Sequence, residues 1–129
     1  MPEAAKLKVV VVDDQASIRA LVRTGLNTIG INDVTEYGSA SDALAGLGSR
    51  ASNLIISDFN MPAMDGLQFL QALRANQQYK STVFILLTGR ADKELVQRAV
   101  KLGANNYVVK PFTIAVLKQK IEQVVGALT

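Results

Sequence analysis

The chain alternates between two hydrophobic patterns. Leu7–Val12, Leu54–Ile56, Val83–Leu87 and Tyr107–Val109 are short, almost wholly apolar runs rich in Val, Ile and Leu. Such runs predict strands buried on both faces of a parallel sheet. Asp33–Tyr37 (DVTEY) is more polar and predicts an edge strand. Between the runs, apolar residues recur at helical spacing. Ile18, Leu21, Val22, Leu26 and Ile29 form the first stripe, with Gly30 as its stop. Ala43, Leu44 and Leu47 predict a short second helix ending at Gly48. Leu67, Phe69, Leu70 and Leu73 predict a third, with Asp65 as N-cap. Leu95, Val96, Ala99, Val100 and Leu102 form a fourth stripe, stopped by Gly103. Thr113 caps a fifth that carries Leu117, Ile121, Val124 and Leu128.

Five strands alternating with five helices define an α/β chain. Right-handed crossovers then require a parallel sheet with helices on both faces. A Rossmann half and a flavodoxin-like sheet both satisfy this pattern, and spacing alone does not choose between their strand orders.

Composition narrows the chemistry. A chain of 129 residues, 49% of them hydrophobic, fits one folded domain with a real core. It has no cysteine and no histidine. Disulfides, thiol catalysis, Ser–His or Cys–His catalysis and Cys- or His-based metal sites are therefore excluded. The N-terminal residues show no apolar signal core, and Leu7–Val12 is too short to span a bilayer. The expectation is a soluble cytoplasmic protein without membrane insertion. Net charge is +3, but Lys and Arg are scattered rather than blocked together, so DNA is not an expected partner.

In open α/β sheets ligands bind beyond the carboxyl ends of the strands. There the first strand is followed by Asp13-Asp14, the third by Ser57-Asp58, the fourth by Thr88-Gly89 and the fifth by Lys110-Pro111. Taken singly, these could be helix caps or solvated charges. Together they place three carboxylates on one rim. Two like charges about 4 Å apart repel by ~1 kcal/mol in water and several times that near a protein surface, so the cluster must hold a proton or a cation. All-oxygen ligation favours a hard divalent ion such as Mg²⁺. Lys110 and Thr88 add a positive charge and a hydroxyl suited to a phosphoryl group. No nucleotide-binding glycine motif is present, and no cofactor-binding residues beyond the metal set are expected. Asp58, at the end of the central strand, is the candidate nucleophile for an acyl phosphate.

These residues resemble the receiver domain of bacterial response regulators over roughly 6–128. The marks, in family order, are Val11-Val12-Asp13-Asp14, Ser57-Asp58-Phe59-Asn60-Met61-Pro62, Met64-Asp65-Gly66, Thr88-Gly89 and Lys110-Pro111-Phe112. The chemotaxis-type, single-domain members are the best match. The resemblance implies a flavodoxin-like (βα)5 sandwich with strand order 2-1-3-4-5, occupying 1–129 as one receiver domain without an output domain. It implies that Asp58 takes a phosphoryl group from a histidine kinase or histidine phosphotransfer protein. It implies Mg²⁺ (replaceable by Mn²⁺) on Asp14, Asp58 and the backbone carbonyl of Asn60, with Asp13 acting through bound water. Lys110 would contact a phosphoryl oxygen, and Thr88 and Tyr107 would form the switch. The Lys110–Pro111 bond would be cis, and Asn60 and Arg90 would tune phosphate lifetime. Lys93, Val96, Val100, Asn106, Tyr107 and Lys120 would line the surface read by a protein target such as the flagellar motor switch.

Within that likeness, a phosphorelay or kinase-regulating shuttle is the alternative role. A monomer is expected, with phosphorylation-dependent dimerisation as the variant. Arg19 and Arg23, at i and i+4, offer either a basic face for an acidic phosphodonor or a solvated face. Arg90, Lys93, Arg98 and Lys101 make the fourth helix basic without forming a compact Arg-rich motif for cyclic dinucleotides. A small aspartyl-phosphate phosphohydrolase is the rival from another class. It is disfavoured because Asn60 stands where such enzymes place an acidic general acid. The complete set Asp13, Asp14, Asp58, Thr88 and Lys110 argues against a receiver that has lost phosphorylation and acts only as a scaffold.

Overall fold

The computed structural model describes residues 3–47, 52–90 and 92–129. A 3-10 turn over Ala4–Lys6 leads into β1 (Lys8–Val12), α1 (Ala16–Thr28), β2 (Asp33–Tyr37), α2 (Ala40–Leu47), β3 (Leu54–Asp58), α3 (Gly66–Ala75), β4 (Val83–Thr88), α4 (Lys93–Leu102), β5 (Asn106–Val109) and α5 (Ile114–Val125). The sheet is parallel, in the order β2-β1-β3-β4-β5. This is the flavodoxin-like arrangement, with DVTEY on an edge as its polarity requires.

Successive strand side chains alternate between two cores. Val10, Val12, Ile55, Phe84 and Leu86 pack against α2, α3 and α4. Val9, Val11, Leu54, Ile56, Ile85, Leu87 and Val108 pack against α1 and α5. Burial on both faces is why these strands read as unbroken apolar runs.

Helix ends follow their caps. Asp65 accepts from Gln68 N–H while the Gln68 side chain accepts from Asp65 N–H, a reciprocal capping box. Thr113 caps α5 through Val116 N–H. Asp92, not anticipated, caps α4 through Leu95 N–H. Gly30 and Gly103 stand just past α1 and α4 with φ of 95° and 102°, the left-handed conformation that glycine adopts without a Cβ penalty. The expected stop at Gly48 lies outside the described residues.

Two stripe positions depart from the core pattern. Leu21 is 50% exposed and Val100 is 63% exposed. At about 100° per residue, Leu21 points about 100° away from buried Val22 and Val100 about 100° away from buried Ala99, towards solvent. Leu128 lies beyond α5 and packs against the α1/α5 core from the terminal segment. Among the described residues no helix is long and apolar enough to cross a membrane.

Candidate functional site

Register places the polar strand ends side by side. Val12 is paired with Ser57, Asp58 with Leu87 and Thr88 with Val109. Backbone bonds continue past the strands: Phe59 N–H donates to Leu87 O at 2.8 Å and Lys110 N–H to Thr88 O at 2.8 Å. Sheet pairing therefore delivers Asp13, Asp58, Thr88 and Lys110 to one rim. A cleft of about 380 Å³ opens there, lined by Asp14, Gln15, Phe59, Asn60 and Gly89 together with Asp58 and Lys110. A groove of about 440 Å³ along Lys118 and Glu122 of α5 and Ala127 just beyond it contains none of the strand-end groups.

Asp13, Asp14 and Asp58 each bring a carboxylate oxygen within 4.8 Å of the others. Asp13 and Asp58 are buried and Asp14 is exposed. Lys110 Nζ lies 2.8 Å from Asp58 Oδ1 and 3.2 Å from Asp13 Oδ2. One ammonium thus bridges two of the three clustered carboxylates. Burial, then the charges of Asp13 and Asp14, push the Asp58 carboxyl above its ordinary value, although the Lys110 hydrogen bond pulls it down. Burial alone would lower Lys110, but its hydrogen bond to Asp58 and the neighbouring carboxylate charges hold it above its ordinary value. The neighbouring carboxylates favour the protonated form of both groups, adding to burial at Asp58 and outweighing it at Lys110. A divalent cation offsets the same negative charge. The all-oxygen donor set, open to solvent at Asp14, suits a hard ion and can bind a metal.

Asn60 is exposed on the loop after β3, at the mouth of the cleft. That loop contains Ala63 at φ 67° and a Met64 N–H to Pro62 O bond of 2.8 Å, a tight γ-turn. Gly66 N–H then donates to Phe59 O at 2.8 Å. A Cβ on Gly66 would collide with the Asp58 carbonyl oxygen and with Phe59 Cα. Glycine is needed here for the start of α3 to close on the strand end.

Thr88 is buried on the same rim. Its hydroxyl donates to Arg90 O at 2.9 Å and accepts from Arg90 N–H at 3.2 Å, so it is engaged by its own loop. Arg90 is exposed, and its guanidinium pairs with Asp92 at 3.0 Å, outside the cleft. The Tyr107 ring is half-buried, with Lys120 Nζ 4.5 Å from its centroid. Asn106 is tied down by bonds to Lys120 O and Gln123 Oε1. Lys93 and Val100 are exposed, and Val96 is half-buried. Lys110–Pro111 is cis.

Arg19 and Arg23 do not form a free basic face. Both clamp the same Glu36 carboxylate of β2. Sequence spacing placed them on one helical face, but only the β1–β2 pairing shows that an acid lies opposite.

A family model described as the response regulator receiver domain matches residues 9–122. The chain is 47% identical over 128 residues, 99% of each chain, to the probable chemotaxis protein CheY of Rhizobium etli. It is 39% identical to chemotaxis protein CheY1 of Helicobacter pylori, over 93% of this chain and 98% of that one. The solved structure of Vibrio cholerae chemotaxis protein CheY4 superposes with a TM-score of 0.87 at 36% identity, covering 92% of this chain and 98% of the other. The protein belongs to the response regulator receiver family, whose CheY-type members are signalling proteins.

Proposed function

We propose that this protein is a phosphorylation-activated switch of a two-component chemotaxis system, working in the cytoplasm, with Asp58 as the phosphoacceptor. The carrying observation is the convergence of Asp58 with Asp13, Asp14 and Lys110 in one cleft. The names of the similar proteins favour chemotaxis over a relay role.

Asp14, Asp58 and the Asn60 backbone carbonyl would hold Mg²⁺, or Mn²⁺ in its place, with Asp13 behind them. When bound, the ion supplies positive charge that offsets repulsion between the carboxylates and an incoming phosphoryl group. An Asp58 carboxylate oxygen attacks phosphorus, the phosphorus–nitrogen bond to the donor histidine breaks, and the imidazole departs. Lys110 moves its ammonium from Asp58 to a phosphoryl oxygen. The Thr88 hydroxyl exchanges Arg90 O for the phosphoryl group. Space behind Thr88 then admits the Tyr107 ring, and the surface of α4, β5 and α5 changes for its target, the motor switch. Asn60, at the mouth, and Arg90, once released from Asp92, set how readily water reaches the acyl phosphate. The chain catalyses only its own phosphorylation and dephosphorylation.

Incubation with acetyl phosphate and Mg²⁺ tests this by intact-mass spectrometry. The expected result is a gain of one phosphoryl group, absent in Asp58→Asn and without divalent cation. An unlabelled wild-type protein, both here and with phosphohistidine donors, overturns the reading.

A further inference from the structure

Asp14 is the exposed member of the acidic set, and its carboxylate has no hydrogen bond or ion pair among the described residues. Its direction is therefore set by its backbone. On one side, the peptide joining Asp13 to Asp14 is gripped by Arg19, whose Nη1–H donates to Asp13 O at 2.7 Å. On the other side, Gln15 N–H donates to Asp13 Oδ1 at 2.9 Å. Arg19 is itself held from β2, where its Nε lies 3.3 Å from Glu36 Oε1. The second oxygen of Glu36 is taken by Arg23 Nε at 2.6 Å, and Arg23 Nη2–H reaches Val34 O at 2.8 Å. Glu36 thus joins α1 and β2 and holds a guanidinium one peptide away from the acidic cleft.

We propose that Arg19 is a positioning residue for the cation site and that Glu36 keeps it in that role. Arg19 fixes the Asp13–Asp14 peptide so that Asp14 faces the cleft before any ligand arrives. Glu36 has a second task. A guanidinium released from Glu36 could swing onto the free Asp14 carboxylate, neutralise it and compete with the cation. Held by Glu36, it donates to a carbonyl instead and leaves the carboxylate open. Partners that orient metal ligands in this way typically govern affinity by 10–100-fold (order of magnitude). Arg23 grips the same Glu36 but reaches no group of the cleft, so it supplies a control.

The inference rests on the reading of the cleft as a divalent-cation site. Its test is Mg²⁺ binding by calorimetry on the unphosphorylated protein, with urea unfolding in EDTA run beside it. Arg19→Met is expected to weaken Mg²⁺ about tenfold or more, Arg19→Lys to recover part of the loss, and Glu36→Gln to weaken it comparably. Arg23→Met is expected to lose stability while keeping Mg²⁺ affinity within about twofold, because Glu36 still holds Arg19. Wild-type affinity in Arg19→Met, or equal losses in Arg19→Met and Arg23→Met, overturns the proposal in favour of a purely structural clamp. Should Arg19→Met fail to fold, wild-type affinity in Glu36→Gln overturns it alone. A wild-type protein that binds no Mg²⁺ overturns the cation-site reading and this inference together.

Discussion

Asp58 shares the Lys110 ammonium with Asp13, and its protonation carries a stability signature. Its carboxyl is held above its ordinary value of 3.8, first by burial and then by Asp13 and Asp14. A folded-state value above the unfolded one contributes stability that is fully present below 3.8 and lost as the pH rises through the folded value. In cation-free buffer the wild type should therefore lose stability relative to Asp58→Asn as the pH climbs through that window. Urea unfolding at a series of pH values checks this, and a pH-independent difference contradicts it. Lys110 has the same sign at the alkaline end: its contribution is present below 10.5 and is lost as the pH rises through its raised folded value. At this scale the candidate residues were legible, because Asp13, Asp14, Asp58, Thr88 and Lys110 each follow an apolar run. The sequence left the role of Arg19 open, because its partner Glu36 lies 17 residues away on β2.

At the scale of elements, short-range devices hold the site's supports. The Asp65 capping box starts α3, and Asp65→Ala should cost about 1 kcal/mol in urea unfolding. Gly66→Ala should do more. The new methyl meets strand-end backbone rather than a flexible side chain, so a loss of about 1–3 kcal/mol is expected. It should be accompanied by slower labelling from acetyl phosphate, since the backbone displaced is that of Asp58. On the far end, Arg74 of α3 donates to Gly103 O at 2.8 Å and to Tyr79 O at 3.0 Å. It also reaches Asn105 Oδ1 at 3.2 Å, the oxygen that accepts from Phe84 N–H. One guanidinium thus ties the end of α4 to α3 and β4. Arg74→Met leaves several carbonyl and amide groups short of a donor and should cost about 1–3 kcal/mol. The N-cap at Asp65 and the stops at Gly30 and Gly103 could be read from local chemistry. The Arg74 tie could not, because it depends on how α3 and α4 lie beside each other.

For the whole molecule, the parallel order β2-β1-β3-β4-β5 places the acidic pair of β1 next to Asp58 of β3, with Thr88 and Lys110 following outward. The chain reverses its direction of winding between β1 and β3, so the helices leave these strands on opposite faces and the cleft opens between them. Ligand binding at such a cleft should stabilise the entire fold. At 100 times the dissociation constant the gain is about 2.7 kcal/mol, equivalent to several degrees in melting temperature for a domain of this size. Mg²⁺ should raise the wild-type melting temperature accordingly and do little for Asp14→Asn or Asp58→Asn. An equal rise in all three would place the ion elsewhere.

The alternation of two-sided apolar runs with helical stripes was enough to define a parallel α/β sheet and to identify which residues stand at its functional end. Hydrophobic periodicity and strand-end position are local properties of the chain, and crossover handedness is general. Tertiary structure alone decided the state of each group. It put Arg19 and Arg23 on Glu36, turned the Thr88 hydroxyl to Arg90 and Arg90 itself to Asp92, and left Asp14 without a partner among the described residues. Those outcomes depend on which side chains meet across strands and helices far apart in sequence, and no local pattern carries that information.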